Sequence, residues 1–381
     1  MNKILLIDGN SLTYRGYFAT AFSPAGILTT SDGIPTNAVL SMNNMLSNII
    51  YTESPSHILI AFDAKKKTRR HEIFPDYKGG RSKTPDELIQ QFPIIKKMIE
   101  KMGIKWFEIE GWEADDIIAT VAKQSSEAGH KVQILSSDKD LLQLVDENIE
   151  VLFNNKGVRD LNVITNDNFF ETQGHFPNQV ADMKGLVGDS SDNLPGVKGI
   201  GIKGANKLLD KYGTVENIYR NIDEIKGATQ TKLINDKEMA MMCRDIATLK
   251  FDVEIPFTFD DFAYRFRVTQ ELIDFYQKYE LKSLVNKFSK YKTNDVVEET
   301  ISEAGMNAEE LPMEELVPID IPIETPLAEE IPPLDIPTIN LNDSQEKLPL
   351  DDIEEIEDDI FEDENVEESE KDEIKYKNII F

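Results

Sequence analysis

The first half of the chain is patterned by short apolar runs that each end in an acidic residue. Ile4-Leu5-Leu6-Ile7 leads into Asp8-Gly9-Asn10, and Ile58-Leu59-Ile60-Ala61-Phe62 leads into Asp63. Lys131-Val132-Gln133-Ile134-Leu135 leads into Ser136-Ser137-Asp138-Lys139-Asp140. Short, nearly unbroken apolar runs bounded by turn residues read as strands buried on both faces, as in a parallel sheet. Helical periodicity predicts helices from about Thr36 to Ile50 and from about Asp86 to Lys101. Ile117, Ile118, Val121 and Ala122 predict a third, whose first turn holds Glu113-Ala114-Asp115-Asp116, with residues 113 and 116 on one face. The stretch after Asp8 reads as a loop. Alternating strands and helices give an α/β fold with a mostly parallel sheet flanked by helices. Later helical patterns run from about Ala205 to Tyr212, Lys237 to Leu249 and Thr269 to Lys287.

From residue 294 the pattern stops. Eight of the 17 prolines lie there in a loose repeat (Val317-Pro318-Ile319-Asp320, Ile321-Pro322-Ile323-Glu324), followed by the acid-dense Asp351 to Glu373. Too few uninterrupted apolar residues remain to offset the entropy of ordering the backbone, so 294–381 is expected to be a disordered acidic tail. Charge divides at the same place. Of 70 acidic and 41 basic residues, 30 and 4 lie beyond residue 293, leaving 40 and 37 before it. The whole-chain charge of −29 therefore says little about the partners of the body. A single cysteine, Cys243, excludes an internal disulfide or a cysteine-rich zinc cluster. With no signal-like N-terminus and no apolar run near the ~18 residues of a membrane span, a cytoplasmic protein is expected.

The candidate chemistry is acidic. Carboxylates at a helix start ordinarily just complement the macrodipole, each worth about 0.3–1 kcal/mol. Here nine acids recur after strands or in loops: Asp8, Asp63, Glu113, Asp115, Asp116, Asp138, Asp140, Asp189 and Asp192. In open α/β sheets ligands collect outside the carboxyl ends of the strands, so Asp8, Asp63 and Asp138 are expected to converge on one crevice. Hard oxygen ligands without cysteine or a nearby histidine select Mg²⁺ or Mn²⁺ over zinc. Two such ions about 3.5–4 Å apart suffice for phosphodiester hydrolysis. His57, His71, His130 and His175 lie outside the acidic motifs and read as structural.

Two basic stretches complete the picture. Lys65-Lys66-Lys67-Thr68-Arg69-Arg70 and the following Tyr77-Lys78 and Arg81 interleave cations with Phe74 and Tyr77, a mixture suited to single-stranded nucleic acid. Gly196-Val197-Lys198-Gly199-Ile200-Gly201 lets backbone N–H groups approach phosphates before a helix, and Lys198, Lys203 and Lys207 add charge. It is neither a dinucleotide fingerprint, since no strand precedes it, nor a Walker A loop.

In this order the motifs resemble the 5′ to 3′ exonuclease domain of bacterial DNA polymerase I, in the flap endonuclease family. The match runs from Asp8 and Tyr14-Arg15 through Pro35-Thr36-Asn37-Ala38, Phe62-Asp63-Ala64, Arg70-His71-Glu72, Tyr77-Lys78 and Glu113-Ala114-Asp115-Asp116. It continues through Ser137-Asp138-Lys139-Asp140 and Gly188-Asp189-Ser190-Ser191-Asp192-Asn193-Leu194-Pro195-Gly196 to the glycine loop, about residues 1 to 288 in all. The resemblance implies a PIN-like nuclease core (1–175) with a helical arch (64–101), a helix-hairpin-helix subdomain (176–293) with its duplex clamp from about Leu194 to Leu209, and the tail. Carried over, Asp8, Asp63, Glu113, Asp115 and Asp116 serve a first metal region, and Asp138, Asp140, Asp189 and Asp192 a second, some through metal-bound water. Lys78 and Arg81 grip the scissile phosphate, Tyr77 stacks on a base, and Arg15, Arg70, Lys198, Gly199, Gly201, Lys203 and Lys207 contact DNA, with a K⁺ ion expected at the hairpin loop. The implied substrate is DNA with a 5′ end or flap, cut by a monomer in primer removal and repair. The chain departs from the family at Lys66-Lys67 and Arg69, where the arch entrance is more basic, and at Gly204, where a hydroxyl is lost. Alternatives are a PIN-like ribonuclease, a non-catalytic binder of branched DNA, and a scaffold acting through its tail. In the tail, Gln345-Glu346-Lys347-Leu348-Pro349-Leu350 resembles peptides that dock on the bacterial sliding clamp.

Overall fold

The computed structural model describes residues 2–23, 26–153 and 161–289. The tail and its 345–350 peptide lie outside them. The three expected strands form, joined by three more: β1 (Lys3–Asp8), β2 (His57–Ala61), β3 (Lys105–Phe107), β4 (Lys131–Ser136), β5 (Ile149–Phe153) and β6 (Asn162–Ile164). They make one sheet in the order β3-β2-β1-β4-β5-β6, parallel throughout except for β6 against β5. β1 is central, and Ile4 to Ile7 are wholly buried, which explains its unbroken apolar run.

Alternate side chains of β1 serve opposite layers. Leu5 and Ile7 join the core beneath the Asn37–Glu53 and Asp86–Lys101 helices, while Ile4 and Leu6 pack with the Ala114–Glu127 helix. In register, Asp8 lies opposite Ala61 and Ile7 opposite Leu135, so β1, β2 and β4 end level with one another. Chain direction across the sheet reverses between β1 and β4, the position where open α/β sheets form a crevice.

The structure corrects three expectations. A helix, Gly9–Ala21, follows Asp8 where a loop was expected. Its buried residues are Gly9, Leu12, Thr13, Gly16 and Tyr17, so glycines and a threonine interrupt the apolar period that Leu12 and Tyr17 would otherwise set. That face is small because neighbours press on it: a Cβ on Gly9 would come within 2.6 Å of the Phe62 ring. Next, the Asp86–Lys101 helix is not part of an arch. Leu88, Ile95, Met98 and Ile99 sit in the main core, so the exposed basic bridge spans only 64–85, with the short helix Arg69–Ile73.

The third correction concerns the second subdomain, expected over 176–293. Val180–Val187, Ile202–Tyr212, Val215–Arg220, Gly227–Asn235 and Lys237–Ala247 do enclose a core of their own around Leu186, Leu208, Leu209, Ile218 and Leu233. Beyond Ala247 the chain returns to the sheet: Leu249, Val253 and Phe262 cover one face, and Leu272, Tyr276 and Leu284 the other. The helix expected from Thr269 to Lys287 is two, Gln270–Lys278 and Lys282–Phe288, broken where Glu280 takes φ 54°. An apolar period shows that a helix has a buried face, but not which core receives it. Among the described residues no helix is long and apolar enough to cross a membrane.

Candidate active site

The acids reach the crevice from separate elements. Asp8 ends β1 and caps the Gly9–Ala21 helix, accepting from Ser11 N at 2.9 Å and from Ser136 Oγ at 2.9 Å. Asp63, just past β2, accepts from Ala114 N at 2.8 Å and from Asn10 Nδ2 at 3.3 Å. Glu113 is the N-cap of the Ala114–Glu127 helix, and Asp115 and Asp116 occupy its first turn. Asp138 follows β4 and accepts from Asp140 N at 2.9 Å. Asp189 and Asp192 come from the loop after Val180–Val187.

That loop is pinched shut by backbone. Asp189 and Leu194 exchange two hydrogen bonds of 2.8 Å. Gly188 (φ 82°) and Gly196 (φ 63°) approach so closely that a Cβ on Gly196 would fall 2.3 Å from Gly188 N. Left-handed φ with backbone contact admits only glycine. Gly196→Ala is expected to cost about 1–3 kcal/mol and to displace Asp189 and Asp192. Thermal melts and cleavage assays check this, and an unchanged Tm with full activity would contradict it.

The nine acids fall into two kinds. Five are neutralised by fixed cations. Arg70 pairs with Asp116 through Nη1 and Nη2, at 2.6 and 2.8 Å, and Lys78 Nζ lies 2.9 Å from Glu113 Oε2. Arg81 Nη2 lies 2.7 Å from Asp192 Oδ1, and Lys184 Nζ pairs with Asp140 and, at 2.6 Å, with Asp189. The other four, Asp8, Asp63, Asp115 and Asp138, have no ion pair among the described residues. This division cuts across the expected metal regions, because ionic partners come from the 64–85 bridge and the helical subdomain rather than from sequence neighbours.

Crowding without cations raises carboxyl pKa values. Burial, then repulsion from Asp63 and Asp138, pushes Asp8 from 3.8 up to about 7. Burial and the charges of Asp138, Asp8 and Asp63 push Asp115 well above the usual range. Asp140 is raised to about 7 by burial, against the pull of Lys184, whereas Asp189 is held down at about 2 by Lys184 and Ser191 although burial opposes it. Four like charges gathered on oxygen donors fit a hard divalent cation. No three His, Cys, Asp or Glu among the described residues form a ready-made metal cage. Mg²⁺ does not require one, since it keeps several waters and is bound through one or two carboxylates together with substrate phosphates.

Several side chains expected to touch DNA lie elsewhere. Arg70 is buried, with Nε donating to Ile246 O at 2.9 Å, and is committed to Asp116. Tyr77 is buried too: its hydroxyl lies 3.2 Å from Glu113 Oε2 and 3.1 Å from Asp192 Oδ2 and donates its one proton to one of them at a time, so the ring is not presented for stacking. Lys78 takes φ 59°, an uncommon conformation for a residue other than glycine, fixed by its N–H donating to Asp192 O at 3.0 Å. Arg15 lies on the Gly9–Ala21 helix. In the hairpin, Lys198, Gly199, Gly201, Lys203 and Lys207 are all exposed at or after the turn into Ile202–Tyr212.

Sequence reasoning missed Lys184, Lys232, Asn10 and Ser136. Lys184 had left a signal: a lysine between Met183 and Gly185 in a mostly apolar helix whose other charged residue is Asp182. Lys232, which donates to Gly199 O at 3.1 Å, had left none.

Comparison with known proteins agrees with this geometry. The model of the 5′-3′ exonuclease N-terminal resolvase-like domain matches residues 3–174, and that of the 5′-3′ exonuclease C-terminal SAM fold matches 175–271. The chain belongs to the 5′-3′ exonuclease family. Among the relatives of this chain, DNA polymerase I of Lactococcus lactis subsp. cremoris is 41% identical over 79% of the chain and 35% of that protein. DNA polymerase I of Bacillus caldotenax is 41% identical over 75% of the chain and 32% of that protein. The chain thus spans about a third of the length of these relatives. In fold, the chain is similar to bacteriophage T5 5′-exonuclease solved with zinc ions (TM-score 0.53, 21% identity, 76% of this chain and 97% of that one). A T5 flap endonuclease solved with DNA and metal ions matches with the same scores and coverage.

Proposed function

We propose that this chain hydrolyses the phosphodiesters of DNA carrying a free 5′ end or a 5′ flap beside a duplex, as a divalent-metal-dependent nuclease of primer removal and repair, acting as a cytoplasmic monomer. The observation that carries this reading is the quartet Asp8, Asp63, Asp115 and Asp138 at the switch point of the sheet, which has no ion pair among the described residues and is rimmed by Lys78 and Arg81. Two Mg²⁺ or Mn²⁺ ions, when bound, supply an activated water and stabilise the leaving oxygen. Asp8, Asp63, Asp115 and Asp138 would hold the first, and Asp140, Asp189 and Asp192 contribute to the second.

The remaining work falls to the protein. Lys78 and Arg81 hold the scissile phosphate and offset the charge that develops on it, a stabilisation that is strong in a site walled off from water. Glu113 and Asp192 orient these two cations, and the Tyr77 hydroxyl sits between both acids and donates to one of them. Arg70 and Asp116 support that arrangement from beneath. The hairpin grips duplex through Gly199, Gly201, Lys198, Lys203 and Lys207 without reading bases, so selectivity is for structure. At the hairpin, where a K⁺ ion is proposed, the Gly199 carbonyl accepts from Lys232 Nζ at 3.1 Å.

A 5′-labelled flap duplex tests the proposal. With Mg²⁺ it is expected to be cut near the junction, and with EDTA to be bound but left whole. Binding without cleavage in both Mg²⁺ and Mn²⁺ would make the chain a structural binder of branched DNA.

A further inference from the structure

The bridge over residues 64–85 carries eight Lys or Arg against two Asp or Glu, whereas the hairpin and its helix, 196–212, carry four against one. Arg70, Lys78 and Arg81 are engaged with carboxylates of the crevice. The other cations of the bridge face solvent. Lys65, Lys67 and Arg69 are exposed and have no ion pair among the described residues, while Lys66 and Lys83 pair only with the exposed Glu110 and Asp86. Exposed pairs of that kind are worth little. Five weakly neutralised cations on one short stretch favour a polyanionic partner. The chain carries such a partner in its own sequence: residues 351–373 hold 15 Asp or Glu and one Lys. Among them Ile353, Ile356 and Ile360 recur at the i, i+3, i+7 spacing of a helix face, and the bridge exposes Ile73. The matched exonuclease models end at residue 271, so this segment is no part of either domain.

We propose that the acidic segment 351–373 docks on the exposed cations of the bridge in the same molecule, standing in for a nucleic-acid backbone, and that DNA must displace it to reach the crevice. The regulatory part of this rests on the reading of the bridge as a DNA contact; the docking itself does not. Reach sets no barrier. Asp351 lies 62 positions beyond Ser289, the last described residue. A connection of that length covers roughly 90 Å even when wholly helical, against a radius of gyration of about 19 Å for a compact body of this size. Tethering then does much of the work, because a linked segment has an effective concentration in the range of ~1 mM. Non-specific contact between a polyanion and a basic surface has a Kd of about 10⁻⁴ M or tighter, so the tethered segment should weaken DNA binding about 10-fold at low salt. Salt screens such exposed charges, so the effect should fade as ionic strength rises.

The test compares the full chain with a full-length variant in which every Asp of 351–373 is Asn and every Glu is Gln, in EDTA so that nothing is cut. The variant should bind a 5′-flap duplex about 10-fold more tightly than the parent at ~50 mM salt, and equally at ~500 mM. A second arm uses no DNA: a free peptide of sequence 351–373 is titrated into both proteins. It should bind the neutralised variant at least about 10-fold more tightly than the parent, whose bridge is already occupied, and lose most of that binding when Lys65→Gln, Lys67→Gln and Arg69→Gln are added. Those three side chains are exposed, so the fold is expected to tolerate the changes. Equal DNA affinity at ~50 mM salt would overturn the proposal. So would a peptide that does not bind, or binds regardless of the three cations, since the segment would then act by long-range repulsion or on another surface. A chain that never cuts flaps would remove the nuclease reading and leave the peptide result standing on its own.

Discussion

Asp115→Asn is expected to abolish cleavage and, at the same time, to make the metal-free protein more stable. Cleavage should fall by about 10³-fold, since Asp115 is central to the quartet and no other side chain can replace its charge. Stability should move the other way because the quartet is self-repelling. The raised pKa values mean that between about pH 4 and 7 the folded state holds more protons than the unfolded state, so metal-free stability falls as pH climbs through that window. The asparagine removes one repelling charge. At pH 7.5 without metal the variant should be the more stable of the two, seen as a higher Tm, and at pH 4, where the raised acid carries little charge, the difference should vanish. Adding Mg²⁺ should raise the Tm of the parent more than that of the variant. Melts at both pH values, with EDTA or Mg²⁺, check all of this. A variant less stable than the parent at pH 7.5 in EDTA would show that Asp115 holds the fold together rather than the metal.

Arg70→Ala is expected to cost stability rather than DNA affinity, by about 3–5 kcal/mol, a large share of the ~5–15 kcal/mol that holds a domain folded. Arg70 is 8% exposed, its guanidinium is engaged with Asp116 and Ile246 O, and it ties the 64–85 bridge to the helix that carries Asp115 and Asp116. Its removal strands Asp116, which is 1% exposed, with only backbone donors such as Lys250 N at 3.1 Å. Breaking one partner of a buried pair costs far more than replacing both by apolar groups, so Arg70→Met combined with Asp116→Leu should recover much of the loss. Chemical denaturation gives the energies, and binding of flap DNA under folding conditions gives the affinity. Unchanged stability with weakened binding would restore the phosphate contact that the basic run suggested.

The two variants separate what was legible in the chain from what was not. β1, β2 and β4 could be read because burial on both faces demands unbroken apolar runs, and an acid ending each run marks the crevice end of the sheet. The motif series, from Asp8 to the glycine loop, carried the family. The Gly9–Ala21 helix stayed hidden because close packing against Phe62 and the neighbouring helix selects small residues, which erases the apolar period. Arg70 and Tyr77 looked like surface residues because a basic, aromatic stretch reads the same whether it faces DNA or folds inward onto carboxylates.

The identity of the acids, their oxygen-only chemistry and their place at strand ends and helix starts were determined by the sequence itself, since each depends on local pattern. Which acids keep their charge free and which are neutralised was decided only by tertiary structure. Ion pairing depends on distance in space: Lys184 reaches Asp140 across 44 positions of chain and Arg70 reaches Asp116 across 46, and no local pattern records where such chains meet.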